Sequence, residues 1–292
     1  MQMKVLALGI FDGVHAGHQQ IIKTAKHLGE VTVMTFDPHP TSVVAPERTP
    51  SQLISVKDRI ELLKQVGATH VEVVNFNKDF SQLSPDQFIE DVLLGRFKAE
   101  HVVIGENFNF GFKAQGSPKY LSEVGPKYGF GVSIVKLQEE RGSTISSSRI
   151  RNLIIDGQIE RANELLTRNY YLKGPVIHGE KRGREIGYPT ANIELTPLAT
   201  IPADGVYAGW LTVGENKWGA AISIGTNPTF AGVRSRQVEA YALDQVGLDL
   251  YDQEAKIEFG FRLRDTLKFD GLAPLLEQMK KDCDQARELT SK

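Results

Sequence analysis

The sequence predicts an α/β protein of two domains, a doubly wound parallel sheet followed by an antiparallel β-barrel with a C-terminal helix. In the first half, apolar strand-like runs alternate with amphipathic helical stretches, as they do in a parallel sheet covered by helices. After about residue 170 the alternation gives way to successive short strands, which is typical of a barrel. The length of 292 residues suits two domains, because one domain holds about 150 residues. We predict domains at 1–155 and 171–292, with a linker at 156–170.

Composition narrows the classes of protein to which the chain can belong. With 41% hydrophobic and 24% charged residues and a net charge of -2, the chain is an ordinary globular protein without a global basic field for nucleic acid. No apolar run approaches the ~20 residues that a membrane span needs. A single cysteine cannot form an internal disulfide, which favours a reducing compartment. We therefore expect a cytoplasmic protein that binds neither nucleic acid nor membranes, and the sequence leaves self-association open.

A glycine-rich turn separates the first predicted strand, 5–10, from a helix that begins near His18. Free backbone N–H groups and the helix dipole make such a turn favourable for phosphate. His15 and His18 lie within one helical turn, so both rings can approach one anion. The alternative is a pair of ordinary surface histidines. We assign phosphate binding to the residues around them, which are Gly9, Phe11, Asp12, Gly13 and Gly17.

The remaining elements of the first half follow in alternation. Strands are predicted at 31–36, 71–74, 102–105 and 132–135, because these runs are short and apolar. A helix is predicted at 55–66, where Ser55 and Asp58 have the spacing of an N-terminal cap. Another begins near Pro85, since proline is favoured in a first helical turn.

Three polar segments follow predicted strands, at the edge of an α/β sheet where ligands bind. The rigid Asp37-Pro38-His39-Pro40 loop follows the second strand; the alternative for His39 is a plain turn. The 105–116 loop carries Asn107, Phe108 and Phe110, which suit stacking on a flat ring; the alternative is that the phenylalanines only pack the loop onto the sheet. The segment 145–154 opens a helix with Ser147, Ser148, Arg149 and Arg151, where an anion explains the arginines better than a solvated cap does.

The second half contains strands predicted at 176–177, 191–193, 206–211, 218–222, 238–243 and 255–259. The closing helix places its apolar side chains on one face: Leu272, Leu275, Leu276, Met279, Cys283 and Ala286. Cys283 is therefore expected to be a small core residue without a redox role.

A basic, glycine-punctuated loop at 178–192 is the candidate phosphate cradle of the barrel. It lacks the spacing of an ordinary P-loop, and a solvated basic turn is the alternative. Its predicted phosphate-binding residues are Gly179, Lys181, Gly183 and Arg184. Thr190 and Asn192 lie two apart on an extended segment, so their oxygens face one side and suit Mg²⁺. Glu239 lies within an apolar strand and could accept a proton from a hydroxyl; a salt-bridged structural role is its alternative.

The motifs resemble known enzymes. His15-Ala16-Gly17-His18 is similar to the H-x-G-H signature of nucleotidyltransferases, whose histidines hold the triphosphate and its transition state. In order, GIFDGVHAGH, FDPHP, GENFNFG, ISSSRIR, PTAN, GVYAG, GTNPTF, VEAYALD and FRLRDTLKF resemble the bacterial bifunctional riboflavin kinase and FAD synthetase family over nearly the whole chain. The resemblance implies a Rossmann-like nucleotidyltransferase domain and a split-barrel kinase domain that use ATP, riboflavin, FMN and Mg²⁺ and release FAD.

The resemblance also implies residue roles. It gives catalytic roles to His15, His18, Arg149 and Glu239, phosphate contacts to Ser147, Ser148 and Arg151, and metal ligation to Thr190 and Asn192. It gives flavin contacts to Asp37, His39, Asn107, Phe110, Arg264 and Phe269. Four positions depart from the family pattern, where Asp, Thr, Asn and Gly are usual: Asn107, Ser148, Ser223 and Asp252. Asp tolerates a left-handed turn, so the hairpin at Asp252 is expected to survive.

Two other functions fit parts of the sequence. One is a nucleotidyltransferase for another phosphorylated acceptor, carrying a degenerate barrel. The other is a flavin-sensing regulator that binds without turnover, against which the intact set of predicted catalytic residues argues. The oligomeric state, the passage of FMN between sites, the preferred flavin redox state, the relative rates and the effects of Ser223 and Asp252 stay open.

Overall fold

The computed structural model describes residues 2–178, 187–226 and 236–291. The chain divides into two compact units, Met1–Arg149 and Ile150–Lys292. The predicted linker range contains a helix that belongs to the second unit, so the domain bounds given above stay a prediction. Among the described residues, no helix is long and apolar enough to cross a membrane.

The first unit is built on a five-stranded parallel sheet in the order β3-β2-β1-β4-β5. Its strands are β1 Lys4–Leu8, β2 Glu30–Asp37, β3 His70–Asn75, β4 His101–Gly105 and β5 Gly131–Val135. A small hairpin follows, formed by β6 Glu139–Glu140 and β7 Ser143–Thr144. Because chain order reverses between β1 and β4, the carboxyl ends of these two strands flank the crevice where such sheets bind ligands.

Helices connect the strands of this sheet, and most of them begin at a side-chain cap. They are α1 Ala16–Leu28, α2 Pro40–Val44, α3 Val56–Val66, α4 Lys78–Ser81, α5 Pro85–Gln87, α6 Pro118–Tyr128 and α7 Ser147–Ile155. Ser55 accepts a hydrogen bond from the backbone N–H of Asp58, which confirms the predicted cap of α3. Ser84 and Gln87 form a capping box at α5, after which the chain continues as a π-helix, Phe88–Arg96.

The core of the first unit lies on the faces of the sheet, where strands read as continuous apolar runs. Val5, Leu6, Ala7 and Leu8 of β1 are almost completely buried, as expected for a central parallel strand covered on both faces. Helix α6 was not predicted from the sequence, because Pro126 and two glycines nearby resemble a loop. Its cap at Ser117 and the buried Leu121 hold it against the sheet instead.

The second unit is a closed barrel of six antiparallel strands in the order β10-β11-β12-β9-β8-β13. The strands are β8 Tyr170–Ile177, β9 Ala191–Ile193, β10 Gly205–Val213, β11 Asn216–Thr226, β12 Arg236–Ala242 and β13 Glu254–Arg264. In the part of this unit that the structure describes, the end of α7 is followed by the helices α8 Ile159–Leu166 and α9 Leu272–Thr290. A parallel sheet followed by a barrel with a C-terminal helix confirms the predicted fold class.

Alternating burial along the strands separates the inside of the barrel from its outside. In β12, Val238, Ala240 and Ala242 are buried, whereas Glu239 and Tyr241 between them are partly exposed. Glu239 therefore lies on the outer face of the barrel. At Gly209 of β10, an added Cβ would meet the carbonyl oxygen of Glu258 at 1.9 Å, so only glycine allows this approach of the strands.

Helix α9 packs its second half against the barrel. Cys283 and Ala286 are buried with Ala208 and Leu243, which confirms Cys283 as a core residue. Burial raises the pKa of the Cys283 thiol to about 11, so the reactive thiolate is disfavoured. At the start of the helix, by contrast, Leu272 is 56% exposed, so the apolar face seen in the sequence is only partly used by the core.

Asp252 lies in a turn before β13 and not in a hairpin, because β12 and β13 pair with other strands. Asp252 adopts a φ of 62°, which is the left-handed conformation that glycine usually supplies. Its backbone N–H donates to the carbonyl oxygen of Val176 at 2.9 Å. The departure from glycine at this position is therefore accommodated by the short aspartate side chain.

Candidate active sites in the two units

The first site begins where β1 ends. Phe11, Gly13 and Val14 all have positive φ values, of 56°, 82° and 40°. Two of the three are not glycine, and such strained turns cluster at functional sites. The carboxylate of Asp12 accepts the backbone N–H of Leu53 through both oxygens, at 3.0 and 3.2 Å, which holds the turn in place.

The two predicted histidines face each other at the start of α1. Their rings stack with centroids 3.6 Å apart and an angle of 21° between the planes. His15 is also the N-cap of α1, since its Nδ1 accepts the backbone N–H of His18 at 3.4 Å. Both rings therefore lie at the N-terminus of α1, and their approach to one anion there stays a prediction.

The serine-rich segment lies against the same turn, although 135 residues separate them. Ser147 at the start of α7 donates its hydroxyl to the carbonyl oxygen of Asp12 at 2.8 Å. Tertiary structure thereby joins the first and last motifs of this unit into one site. Gly17 leaves room for the His15 ring, because an added Cβ would lie 3.3 Å from its Nδ1.

Arg149 is engaged by the β6–β7 hairpin. Its guanidinium forms an ion pair with Glu140 at 2.6 Å and donates to the carbonyl oxygen of Ser143 at 2.8 Å. The anion beside Arg149 is thus a carboxylate of the chain itself. Ser148 follows Ser147 in α7, and Arg151, in the same helix, is buried.

A cavity of about 1000 Å³ opens at this edge of the sheet. Six of the predicted site residues line it, namely Gly9, Phe11, His18, Asn107, Phe110 and Ser147. Phe110 is also 5% exposed and packs beside Phe88 with ring centroids 5.1 Å apart. The packing interpretation of this aromatic loop therefore holds for Phe110, which also faces the cavity, and stacking on a flat ring stays a prediction.

The loop after β2 contributes to the cavity through different residues from those predicted. Phe36 and Pro40 line it, whereas Asp37 and His39 do not. His39 instead caps α2, where its Nδ1 accepts the backbone N–H of Thr41 at 3.2 Å. The Asp37–Pro38 peptide bond is cis.

Sequence reasoning missed several residues of this site. Phe76, Phe80 and Lys78 line the cavity from the segment around α4, which carries no strong periodic pattern. Arg59 is the other omission: it is 3% exposed and lies behind the cavity. A single arginine within an amphipathic helix resembles a surface charge, so no signal in the sequence distinguished it.

The second site lies on the outer face of the barrel. Thr190 donates its hydroxyl to the Glu239 carboxylate at 3.1 Å, and the Asn192 amide nitrogen lies 3.5 Å from the same hydroxyl oxygen. Asn192 and Glu239 are also register partners between β9 and β12. The prediction that Thr190 and Asn192 face one side is confirmed, and the strand pairing adds the carboxylate to them.

Asn192 carries a buried acceptor that fits a cation. The side chain is 8% exposed, and its Oδ1 accepts no hydrogen bond from the part of the chain that the structure describes. The hydroxyl proton of Thr190 is directed at Glu239, and one lone pair of the hydroxyl oxygen faces the Asn192 amide nitrogen, so the second lone pair remains available. Two neutral oxygens of this kind suit Mg²⁺ that keeps phosphate and water ligands. An adjoining cavity of about 170 Å³ is lined by Thr190, Asn192 and Tyr251.

The structure does not place the remaining predicted residues of the barrel beside Thr190, Asn192 and Glu239. Two of them are described, and four are outside the described residues. Arg264, at the end of β13, forms an ion pair with buried Asp282 of α9 at 2.6 Å. Phe269 is partly exposed between β13 and α9. The predicted phosphate cradle, with Gly179, Lys181, Gly183 and Arg184, lies outside the described residues.

These features define a class of protein: a nucleotidyltransferase-type parallel sheet with a histidine-bearing turn, followed by a six-stranded barrel with its own polar site. Comparisons with known proteins agree. The FAD synthetase family matches residues 1–149, and the riboflavin kinase family matches residues 166–290. The chain therefore belongs to the family of bifunctional riboflavin kinases and FAD synthetases.

Relatives share both units with this chain. The bifunctional riboflavin kinase/FMN adenylyltransferase of Bacillus subtilis is 40% identical over 97% of this chain and 91% of that protein. The protein of the same name from Escherichia coli K12 is 33% identical over 97% of this chain and 92% of its own length. A crystal structure of a macrolide-efflux protein from Streptococcus pneumoniae is 32% identical, covers 98% of this chain and 94% of that one, and superposes with a TM-score of 0.87.

Proposed function

We propose that this chain makes FAD from riboflavin in two ATP-dependent steps. The barrel phosphorylates riboflavin to FMN and releases ADP, and the parallel-sheet unit transfers AMP from a second ATP to FMN and releases pyrophosphate. The observation that carries the proposal is that each family matches a different unit, and that each unit has its own polar site.

In the first unit, the FMN phosphate attacks the α-phosphorus of ATP, and the bond to pyrophosphate breaks. Negative charge grows on the nonbridging and leaving oxygens during this step. We assign the stabilisation of that charge to His15 and His18, supported by their stacking at the N-terminus of α1. We assign phosphate contacts to the turn and to Ser147, and the flavin ring to the aromatic wall of the cavity near Asn107 and Phe110.

In the barrel, the 5′-hydroxyl of the ribityl chain attacks the γ-phosphorus of ATP. We assign Glu239 as the base that takes the hydroxyl proton, because its carboxylate is partly exposed and already oriented by Thr190. The hydroxyl group of Thr190 and the amide group of Asn192 would hold Mg²⁺, and the buried Asn192 acceptor supports this assignment. When bound, the ion neutralises charge on the phosphates.

We also infer the setting in which the chain works. A net charge of -2 gives it no general attraction for nucleic acid or anionic membranes, and its single cysteine fits a reducing cytoplasm. From the two proposed reactions, its partners are ATP, riboflavin, FMN and FAD. Gel filtration of the pure chain measures whether it also associates with itself.

Chromatography of products tests the proposal. Pure protein is mixed with riboflavin, ATP and Mg²⁺, and we expect FMN to appear first and FAD afterwards, with one ADP per FMN formed and one pyrophosphate per FAD formed. Adenylylation of phosphopantetheine or glycerol phosphate in preference to FMN would favour a different nucleotidyltransferase. Flavin binding without ADP or pyrophosphate would favour a regulator and exclude the enzyme.

A further inference from the structure

Arg59 connects the turn after β1 with the end of β2, where the Asp37–Pro38 loop begins. It belongs to α3 and is 3% exposed, which is rare for an arginine. Its Nη1 donates to the carbonyl oxygen of Ile10, the hydroxyl oxygen of Thr35 and the carbonyl oxygen of Phe36, each at 3.0 Å. One guanidinium nitrogen therefore contacts three oxygens that come from two different strand ends.

The contacted atoms lie at the edge of the cavity. Ile10 belongs to the turn between β1 and α1, and Phe36 precedes the Asp37–Pro38 loop at the end of β2; both line the cavity. Thr35 strengthens the connection, since its hydroxyl donates to the carbonyl oxygen of Ile10 at 2.8 Å. The position of one loop relative to the other is thus fixed by hydrogen bonds behind the site.

The same segment of chain also holds the turn at a second point. Just before α3, the backbone N–H of Leu53 donates to the buried carboxylate of Asp12. Asp12 and Asp37 favour the charge on Arg59, while burial, which is the larger effect, lowers the pKa of the guanidinium. A buried charge costs free energy that an apolar side chain in the same helix position would avoid. What the guanidinium adds is a set of bonds between the two loops.

We propose that Arg59 is a positioning residue for adenylyl transfer. Arg59 is not among the residues that line the cavity. It fixes the separation between the turn that carries His15 and the end of β2, and so aligns the two substrates that the cavity receives. A misplacement of about 1 Å in a reacting pair can cost ~10²-fold in rate. This inference rests on the proposed function of the first unit.

The test compares Arg59→Met, Arg59→Lys and a matched control, Lys57→Met, which changes an exposed residue of the same helix. Steady-state kinetics of FAD formation from supplied FMN give kcat and KM, and calorimetry gives the affinity and stoichiometry of ATP binding without FMN. FMN formation by the barrel of the same chain serves as an internal standard.

We expect Arg59→Met to lower kcat for FAD formation by ~10- to 100-fold. The stoichiometry of ATP binding should equal that of the parent chain, in which both units are proposed to bind ATP, and the affinity of the first site should stay within about threefold of the parent, a change of under about 1 kcal/mol. The kcat of Arg59→Lys should lie between those of the parent and Arg59→Met, because an ammonium group keeps the charge but lacks the planar fork of the guanidinium. Lys57→Met should match the parent. An unchanged kcat in Arg59→Met would overturn the proposal, and so would a loss that is fully explained by a smaller fraction of ATP-binding protein.

Thr35→Val decides the question if Arg59→Met does not fold. It removes one acceptor of Arg59 and the bond to Ile10 while keeping the side-chain shape. We expect it to lower kcat with ATP stoichiometry intact, and Arg59→Lys should cost less in its presence than alone, since both residues belong to one network. If the losses of kcat in Thr35→Val and Arg59→Lys simply add in the double variant, the positioning role of Arg59 is contradicted. If the parent protein itself forms no FAD, the proposed function fails, which is a different outcome from an Arg59 variant that works normally.

Discussion

The two proposed sites of this chain differ in the kind of group that is assigned to phosphate. In the first unit the assigned groups are donors, namely the N-terminus of α1 and the imidazoles of His15 and His18, whose ring centroids lie 3.6 Å apart. The barrel site is made of acceptors, namely the Thr190 hydroxyl, the buried Asn192 amide oxygen and the Glu239 carboxylate. A site of donors can meet phosphate oxygens directly, whereas a site of acceptors needs a cation between itself and the phosphate.

The difference follows from the two folds. At the end of a parallel strand, the following helix presents unpaired N–H groups to the ligand. In a closed antiparallel barrel, the N–H groups of the strands are used in the ladder, so the described residues of a site on its outer face contribute side chains. The two cavities also differ in volume, which is about 1000 Å³ at the sheet edge and about 170 Å³ beside the barrel. The four predictions below test whether the sites work independently and by these separate means.

The largest effect is expected at the barrel carboxylate. Glu239→Gln keeps the shape and still accepts the Thr190 hydroxyl, but it removes the base, so FMN formation should fall by ~10²- to 10⁴-fold. FAD formation from supplied FMN should be unchanged. Glu254→Gln, an exposed change on β13, is the control. Near-normal FMN formation in Glu239→Gln would remove the assigned role and weaken the contrast between the sites.

The next effect is expected at the imidazole pair. His15→Ala should slow FAD formation by ~10²-fold, because a donor to the transition state is lost. The variant also loses the N-cap of α1, so His15→Asn is measured beside it, since asparagine caps helices well. His27→Ala, an exposed change in α1, is the control. Equal loss of FMN formation in the His15 variants would show that the sites are not separate.

Magnesium dependence distinguishes the sites further. In Asn192→Leu, the Mg²⁺ concentration that half-saturates FMN formation should rise at least ~10-fold, by analogy with the loss of affinity when groups that support a metal ligand are removed. The Mg²⁺ dependence of FAD formation in the same protein is the control and should not move. An unchanged Mg²⁺ requirement for FMN formation would assign the metal to other residues.

The smallest effect concerns the core behind the barrel. Burial raises the pKa of Cys283 from its ordinary 9.0 to about 11, so its contribution to stability is present below about pH 9 and is lost as the pH rises towards about 11. Denaturant unfolding across this range should show the decline, and Cys283→Ala should show less of it. Rapid alkylation of the native thiol at pH 8 would contradict the burial that the prediction assumes.

Local patterns in the sequence were enough to predict most elements of both units. The strands of the parallel sheet, the cap of α3, the start of α5 at Pro85 and the apolar half of α9 that includes Cys283 lie where they were predicted. The misses have local causes as well. Helix α6 contains Pro126, and β8 begins at Tyr170 within the predicted linker, because a strand of mixed polarity gives no clear period.

For the site residues, the sequence was enough to predict some properties and not others. Their chemical types could be identified from motifs, but their partners could not, because contacts over long sequence separations leave no periodic signal. Ser147 against Asp12 and Glu239 against Asn192 are examples. Arg149 shows the same limit. The sequence predicted an anion beside this arginine, and in the structure that anion is the carboxylate of Glu140.

The order of elements, the presence of two units and the motifs of the family can be predicted from the sequence, because each depends on residues close together in the chain. The stacking of His15 on His18, the orientation of Glu239 by Thr190 and the burial of Arg59 behind the turn and the end of β2 became visible in the folded chain. Those arrangements depend on how strands and helices pack. A side chain that resembles a surface charge in the sequence can therefore lie at the centre of a site.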